Sequence, residues 1–223
     1  METSLHRFIG ESAWGSRLQP DELQGVLQAT REARHGSGEY IVRSGSPAEY
    51  WVGVMEGIVL QSVTSAEGRE AILTAVSTGT WFGEGTLLKQ VAWGYDAIAK
   101  GNVRLALVPV RTFHRLRDTS LPFNQFVSEL LNARLSHYMG LLANERLTRV
   151  EARVAHMLAS LFDPGLYPNR NPTLRISQSD IALLAGMSRQ RANVALQKLQ
   201  REGLVIVQRD SVTVVSVDGL KHY

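Results

Sequence analysis

Cysteine is absent from all 223 residues. That absence excludes a disulfide framework, a thiolate zinc site, a Cys-ligated iron–sulfur cluster and a cysteine nucleophile. Seven prolines are too few for a collagenous or low-complexity chain. No stretch approaches the ~18 consecutive apolar residues of a membrane span, and the start, Met1-Glu2-Thr3-Ser4, lacks the basic and apolar regions of a secretion signal. A cytoplasmic protein without a membrane partner is therefore expected. With 44% hydrophobic and 20% charged residues the composition is that of an ordinary globular protein, long enough for one large or two small domains.

Enzymatic signatures are missing too. No two of the six histidines lie closer than 19 residues, so the His-x-His set of a cupin-type metal site is not there, and no metal is expected. Neither a nucleophile elbow, a P-loop nor a dinucleotide fingerprint occurs, and an enzyme is not expected.

What is present is unevenly distributed. Up to Thr148 the chain has 14 Lys/Arg against 15 Asp/Glu; from Arg149 to Tyr223 it has 10 against 6. The positive excess lies in the last third, as in a polyanion-binding module joined to a neutral one, because phosphate neutralisation drives nucleic-acid affinity. A merely solvated basic surface would give the same count.

Along the chain, residues 5–34 predict one or two short helices, with Leu18, Leu23, Val26 and Leu27 at helical spacing after Pro20-Asp21. From 36 to 110, glycine recurs between short runs such as Tyr40-Ile41-Val42, Gly57-Ile58-Val59-Leu60 and Ala71-Ile72-Leu73. Short β-branched runs punctuated this way predict a β-roll, barrel or sandwich, with a hairpin turn at Glu67-Gly68. From Pro122 to Leu147 a long helix is predicted, with apolar Phe123, Phe126, Val127, Leu130, Leu131, Leu135, Tyr138, Met139, Leu141 and Leu142 at steps of three and four. That stripe is too wide for one partner. Part of it is expected to pack on the β-region and part on a second copy, at Phe126, Leu130, Leu131, Leu135, Tyr138 and Leu142. Thr148 to Phe162 predicts a further helix, and Pro168-Asn169-Arg170-Asn171-Pro172 a loop.

The most informative stretch is 176–199. Ser177 with Asp180 three residues on forms a capping box; Ile181, Leu184 and Ala185 give the first helix an inner face, and Gly186 ends it. Ser188 caps a second helix with inner residues Ala192, Ala195, Leu196 and Leu199. Two short helices joined by a tight glycine turn are a helix-turn-helix. The second opens on Arg189-Gln190-Arg191 and then Asn193. Arg can pair bidentately with guanine, and Gln or Asn with adenine, from the first turn of a recognition helix. Leu204–Val207 and Val212–Val215 around Gln208-Arg209-Asp210-Ser211 complete a winged helix-turn-helix. The candidate DNA-contacting set is Ser177, Gln178, Ser188, Arg189, Gln190, Arg191, Asn193, Gln208 and Arg209, and the partner is double-stranded DNA.

Over residues 20–217 the order of these features resembles the cyclic-AMP receptor protein and fumarate–nitrate regulator (Crp/Fnr) family of bacterial transcription regulators. The resemblance rests on Gly57, Gly68 and Gly79, the turn Trp81-Phe82-Gly83-Glu84, the helix 122–147, Arg153-Val154-Ala155 and Ser188-Arg189-Gln190-Arg191. It implies an α+β protein with three segments: a cyclic-nucleotide-binding-type β-roll (1–120), a dimerisation helix (121–147) and a winged helix-turn-helix (148–223). A homodimer on a palindromic promoter site, with RNA polymerase as a further partner, is implied as well. Gly83 and Glu84 match the family's phosphate-cassette pair. Its Arg-Ser pair aligns with Tyr95-Asp96, and its adenine-contacting Thr-Ser pair with Tyr138-Met139. These departures weigh against cyclic AMP as effector, with Arg69 the one candidate substitute for the missing arginine. The iron–sulfur chemistry of the family needs cysteines that are not present, and haem ligation would have to come from isolated His6, His35, His114 or His137. Trp51, Trp81, Trp93 and Tyr95 are candidates for an apolar effector pocket or for the core. An effector-independent regulator and a β-roll that binds ligand without binding DNA are the alternatives.

Overall fold

The computed structural model describes residues 3–147, 149–168 and 171–223. Helix α1 (Ser4–Gly10) starts at the Thr3 cap, and α2 (Pro20–Ala29) carries Pro at its first position and a Gln19/Glu22 capping box. The helical reading of 31–34 is corrected by the structure. At Thr30 the hydroxyl donates to the Val26 carbonyl and the backbone turns extended. Strand β1 (Arg31–His35) then pairs antiparallel with β6 (Asp96–Pro109), Arg31 opposite Leu107 through His35 opposite Val103. Five ladder positions from a distant strand outweigh the local helical spacing.

The remaining strands are β2 (Tyr40–Val42), β3 (Tyr50–Thr64), β4 (Glu70–Ser77) and β5 (Trp81–Phe82), in the order β1-β6-β3-β4 with β2 on β6 and β5 on β3. Between β3 and β4, Gly68 adopts a left-handed conformation and its amide bonds the Ser65 carbonyl at 2.9 Å, which makes the expected hairpin turn. Short α3 (Glu84–Lys89) follows β5, and α4 (Val110–Thr119) leads into α5 (Leu121–Leu147). Beyond come α6 (Val150–Ser160), β7 (Thr173–Leu174), α7 (Gln178–Leu184), α8 (Arg189–Arg201), β8 (Val205–Val207), β9 (Val212–Val214) and α9 (Val217–Lys221). The Pro168–Pro172 loop and the Thr148 junction expected from sequence lie partly outside the described residues.

Two compact units result: one up to Val59 together with Val76–Ala133, the other Leu60–Ala75 together with Arg134–Tyr223. The first has two cores. Trp14, Trp51, Trp81, Phe113 and Phe123 meet at centroid distances of 4.6–5.7 Å, mostly edge-on or tilted as aromatic quadrupoles prefer. These side chains tie α4 and the first half of α5 to the roll, joined by buried Val127. The second core is the roll interior, with Val52, Val54, Val59, Phe82, Trp93, Leu105 and Leu107. The tryptophans thus divide: Trp51 and Trp81 pack on the helices, and Trp93 alone lines the roll.

In the second unit, α6, α7 and α8 enclose Ala155, Leu158, Ile181, Ala192, Leu196 and Leu199, all buried. The strands β7, β9 and β8 form a small antiparallel sheet beside them, Val205 opposite Val214 and Val207 opposite Val212.

Candidate DNA interface and effector pocket

The helix-turn-helix is built from local hydrogen bonds. Asp180 Oδ2 accepts from the Ser177 amide at 2.7 Å and from its hydroxyl at 2.6 Å, while the Ser177 hydroxyl accepts from the Asp180 amide at 3.2 Å. This reciprocal box satisfies donors that α7 leaves open at its start. At its other end Gly186 has φ +61°, and Arg153 Nη2 donates to the Ala185 carbonyl at 3.0 Å. A cation on the last carbonyls complements the helix dipole. Arg153, noted in the sequence only as part of a resemblance, thereby holds the turn that aims α8.

Ser188 caps α8 through the Arg191 amide. Its inner residues Ala192, Ala195, Leu196 and Leu199 are buried, while Ser188, Arg189, Gln190 and Arg191 are exposed and Asn193 is half-buried. In the wing, Gln200 Oε1 accepts from the Val207 amide at 2.6 Å, which ties α8 to β8. Gln208 is occupied within the turn, its Oε1 accepting from the Ser211 hydroxyl at 2.8 Å, and Arg209 stands exposed at the tip. Ser177 and Gln178 are half-buried at the start of α7, Ser177 already committed to its cap. Exposed Arg175 and Arg201 add positive charge that the sequence reading did not single out.

The candidate effector residues fall into both units. In the first, Gly83 caps α3 with φ +101°, and a Cβ there would stand 2.5 Å from the Trp93 ring, so conformation and space both demand glycine. Phe82 packs on Trp93 at 6.2 Å, Tyr95 meets Trp93 edge-on at 5.4 Å, and Glu84 is buried behind them. Asp96 is not aimed at an anion: its Oδ1 accepts from the Ser44 amide at 2.8 Å, closing the loop after β2. In the second unit Arg69 is at the hairpin turn with its side chain 83% exposed, 3.7 Å from Glu67. Tyr138 and Met139 are exposed on α5.

Of the histidines raised as haem ligands, His35 lies 3.6 Å from Glu39 and His137 packs on the rings of Tyr138 and Tyr167. Among the described residues no three His, Asp or Glu side chains group as a metal site.

Two residues expected at the dimer seam, Phe126 and Leu130, instead pack within their own chain, Leu130 buried and Phe126 on the aromatic core, whereas Leu131, Leu135, Tyr138, Met139 and Leu142 stay exposed.

One connection had no local signal. Tyr167, buried after α6, shares a 2.7 Å hydrogen bond with the buried Thr74 hydroxyl of β4, 93 residues away. It also meets His137 of α5 edge-on at 6.0 Å. Burial pushes the Tyr167 hydroxyl up to about 12 and holds the His137 imidazole below its ordinary value, so both groups are neutral at pH 7. Tyr167 therefore joins the loop after α6 to the β3–β4 hairpin by a buried hydrogen bond and to the second half of α5 by a ring contact. Tyr167→Phe leaves Thr74 without that partner and is expected to cost about 1–3 kcal/mol, read as a lower urea midpoint; adding Thr74→Val should recover part of the loss.

Comparison with known proteins agrees with this architecture. Residues 33–120 match the model of the cyclic nucleotide-binding domain and residues 152–223 that of the Crp-like helix-turn-helix domain. The cAMP-activated global transcriptional regulator CRP of Pasteurella multocida is 24% identical over 199 residues, covering 86% of this chain and 93% of that protein. The catabolite activator protein of Thermus thermophilus superposes with a TM-score of 0.52 at 26% identity, covering 95% and 97% of the two chains. FixK2 from Bradyrhizobium japonicum shares the fold at a TM-score of 0.73 and 19% identity, covering 86% and 96%. With both domain models matched in tandem, in the order and at the places where the β-roll and the winged helix-turn-helix stand, the chain belongs to the Crp/Fnr family of transcription regulators.

Proposed function

We propose that the chain is a homodimeric regulator that reads a two-fold-symmetric promoter site, with residues 1–120 as sensor, 121–147 as dimer helix and 148–223 as DNA reader. The observation that carries this reading is the first turn of α8. Arg189 and Arg191 are exposed there and make no ion pair with any described carboxylate, on a helix whose opposite face is fully packed. Such an edge can enter a major groove and offer paired donors to guanine. Gln190 and Asn193 supply the adenine-reading chemistry beside it, and Arg209 at the wing tip offers charge to a phosphate.

The exposed residues Leu131, Leu135, Tyr138 and Leu142 follow the 4-3-4 spacing of a coiled-coil seam. Pairing this seam with its symmetry mate sets two recognition helices in a two-fold arrangement, and half-sites one DNA turn apart, ~34 Å, are the geometric match. An effector in the β-roll shifts the population of the spacing that fits. The Pasteurella relative is by name cAMP-activated, but the support here is against cyclic AMP. Trp93 packs against Gly83, and Tyr95-Asp96 brings no cation where the family's cassette has one.

Three measurements test this. Arg189→Ala is expected to weaken binding to a selected site by ~1–3 kcal/mol in fluorescence anisotropy at fixed salt, with the fold unchanged by circular dichroism; unchanged affinity would remove Arg189 from the interface. Leu135→Glu should turn a sedimenting dimer into monomer, because the seam would bury an unpaired charge, and a wild-type monomer at micromolar concentration would refute the seam. Calorimetric titration with cyclic AMP should show no saturable heat up to ~1 mM; saturation near 1 µM would restore it as effector.

A further inference from the structure

A cleft of about 580 Å³ lies between β1, β2, the start of β3 and the end of β6. Its volume lies within the ~300–1,000 Å³ usual for small-molecule sites. Its apolar floor is the roll core itself, Val52, Trp93 and Leu107, each at most 8% exposed. Its polar lining includes two arginines, each over a tyrosine ring. Arg43 lies 3.7 Å over the Tyr40 ring and Arg31 4.7 Å over the Tyr50 ring. Neither has a carboxylate partner among the described residues.

A guanidinium over an aromatic face is held there by the ring's quadrupole without neutralising its charge, so it can still offer donors to an anion. Both line the same cleft, where an anion can meet either guanidinium. Opposing charge is limited. Glu49 also lines the cleft, and His35 at its edge already lies 3.6 Å from Glu39. An anion thus meets two unpaired cations and one carboxylate, over a floor that only an apolar body can cover. None of the lining residues belongs to the Gly83–Glu84 turn, to Tyr95-Asp96 or to α5.

We propose that this cleft is a binding site for a small anionic ligand with a planar apolar body, the anion held by Arg31 and Arg43 and the ring resting toward Trp93. It stands apart from the DNA-binding reading, since it needs neither a dimer nor DNA. The probe is 2-naphthyl phosphate, titrated calorimetrically into the full chain, with 2-naphthol as its uncharged counterpart. One naphthyl phosphate per chain should bind saturably, 2-naphthol at least about tenfold more weakly, and the double variant Arg31→Gln/Arg43→Gln should lose about tenfold or more for the phosphate alone. Both arginines are exposed, so the double variant should keep its wild-type melting temperature. Trp93→Phe, which keeps the apolar floor, should retain binding and abolish the accompanying change in tryptophan emission. No saturable binding, equal affinity for the phosphate and the naphthol, or an unchanged affinity in the double variant would each overturn the assignment.

Discussion

The helix Leu121–Leu147 presents more apolar surface than its own chain covers, and the architecture follows from how that surface is divided. Its first half is drawn into the aromatic core by Phe123, which meets Trp14, Trp51 and Phe113. Burying aromatic side chains of this size contributes on the order of 2–3 kcal/mol each, enough to fix where the helix leaves the roll. Its second half has no such core to enter. Leu131, Leu135 and Leu142 remain in solvent, a cost that a second copy of the same helix would remove.

The roll interior shows a different use of aromatic bulk. Trp93 packs against the roll interior and against Gly83, and Phe82 and Tyr95 flank it. Gly83 holds the left-handed conformation from which α3 follows, and Asp96 is bonded to the Ser44 amide. Arg31 and Arg43 of this unit line a separate cleft between β1, β2 and the start of β3. A ligand's polar end and its ring would there meet groups from different strands, a geometry set by the β1–β6 ladder.

In the second unit, rigidity comes from satisfied polar groups. The Ser177–Asp180 box, the Arg153 contact to Ala185 and the Gln200 contact to Val207 occupy backbone groups at both ends of the two helices and the wing. With these made, the Arg189 and Arg191 side chains in the exposed first turn of α8 have no ion-pair partner among the described residues. Tyr167, Thr74 and His137 extend the same unit to the hairpin and α5 through groups that are neutral when folded. Because the His137 imidazole is held below its ordinary value, folding favours its neutral form; that contribution is full above the unfolded value near 6.5 and declines as the pH falls below it.

By itself the sequence determined those features whose cause lies within a few residues. The capping boxes, the left-handed glycines at 68 and 186, the amphipathic inner face of α8 and the two strands of the wing all appear where their local signals stand. The order of these signals was also enough to suggest the family. Tertiary structure decided what depends on partners far along the chain. Residues 31–34 became strand because β6 offers them a ladder, and Trp51 and Trp81 parted from Trp93 because one set faces helices and the other the roll interior. Asp96 turned to Ser44, 52 residues away, and Tyr167 found Thr74 across 93. Local periodicity reports which face of an element is apolar, but not which distant surface will cover it. That choice is made only when packing and hydrogen bonding are satisfied together.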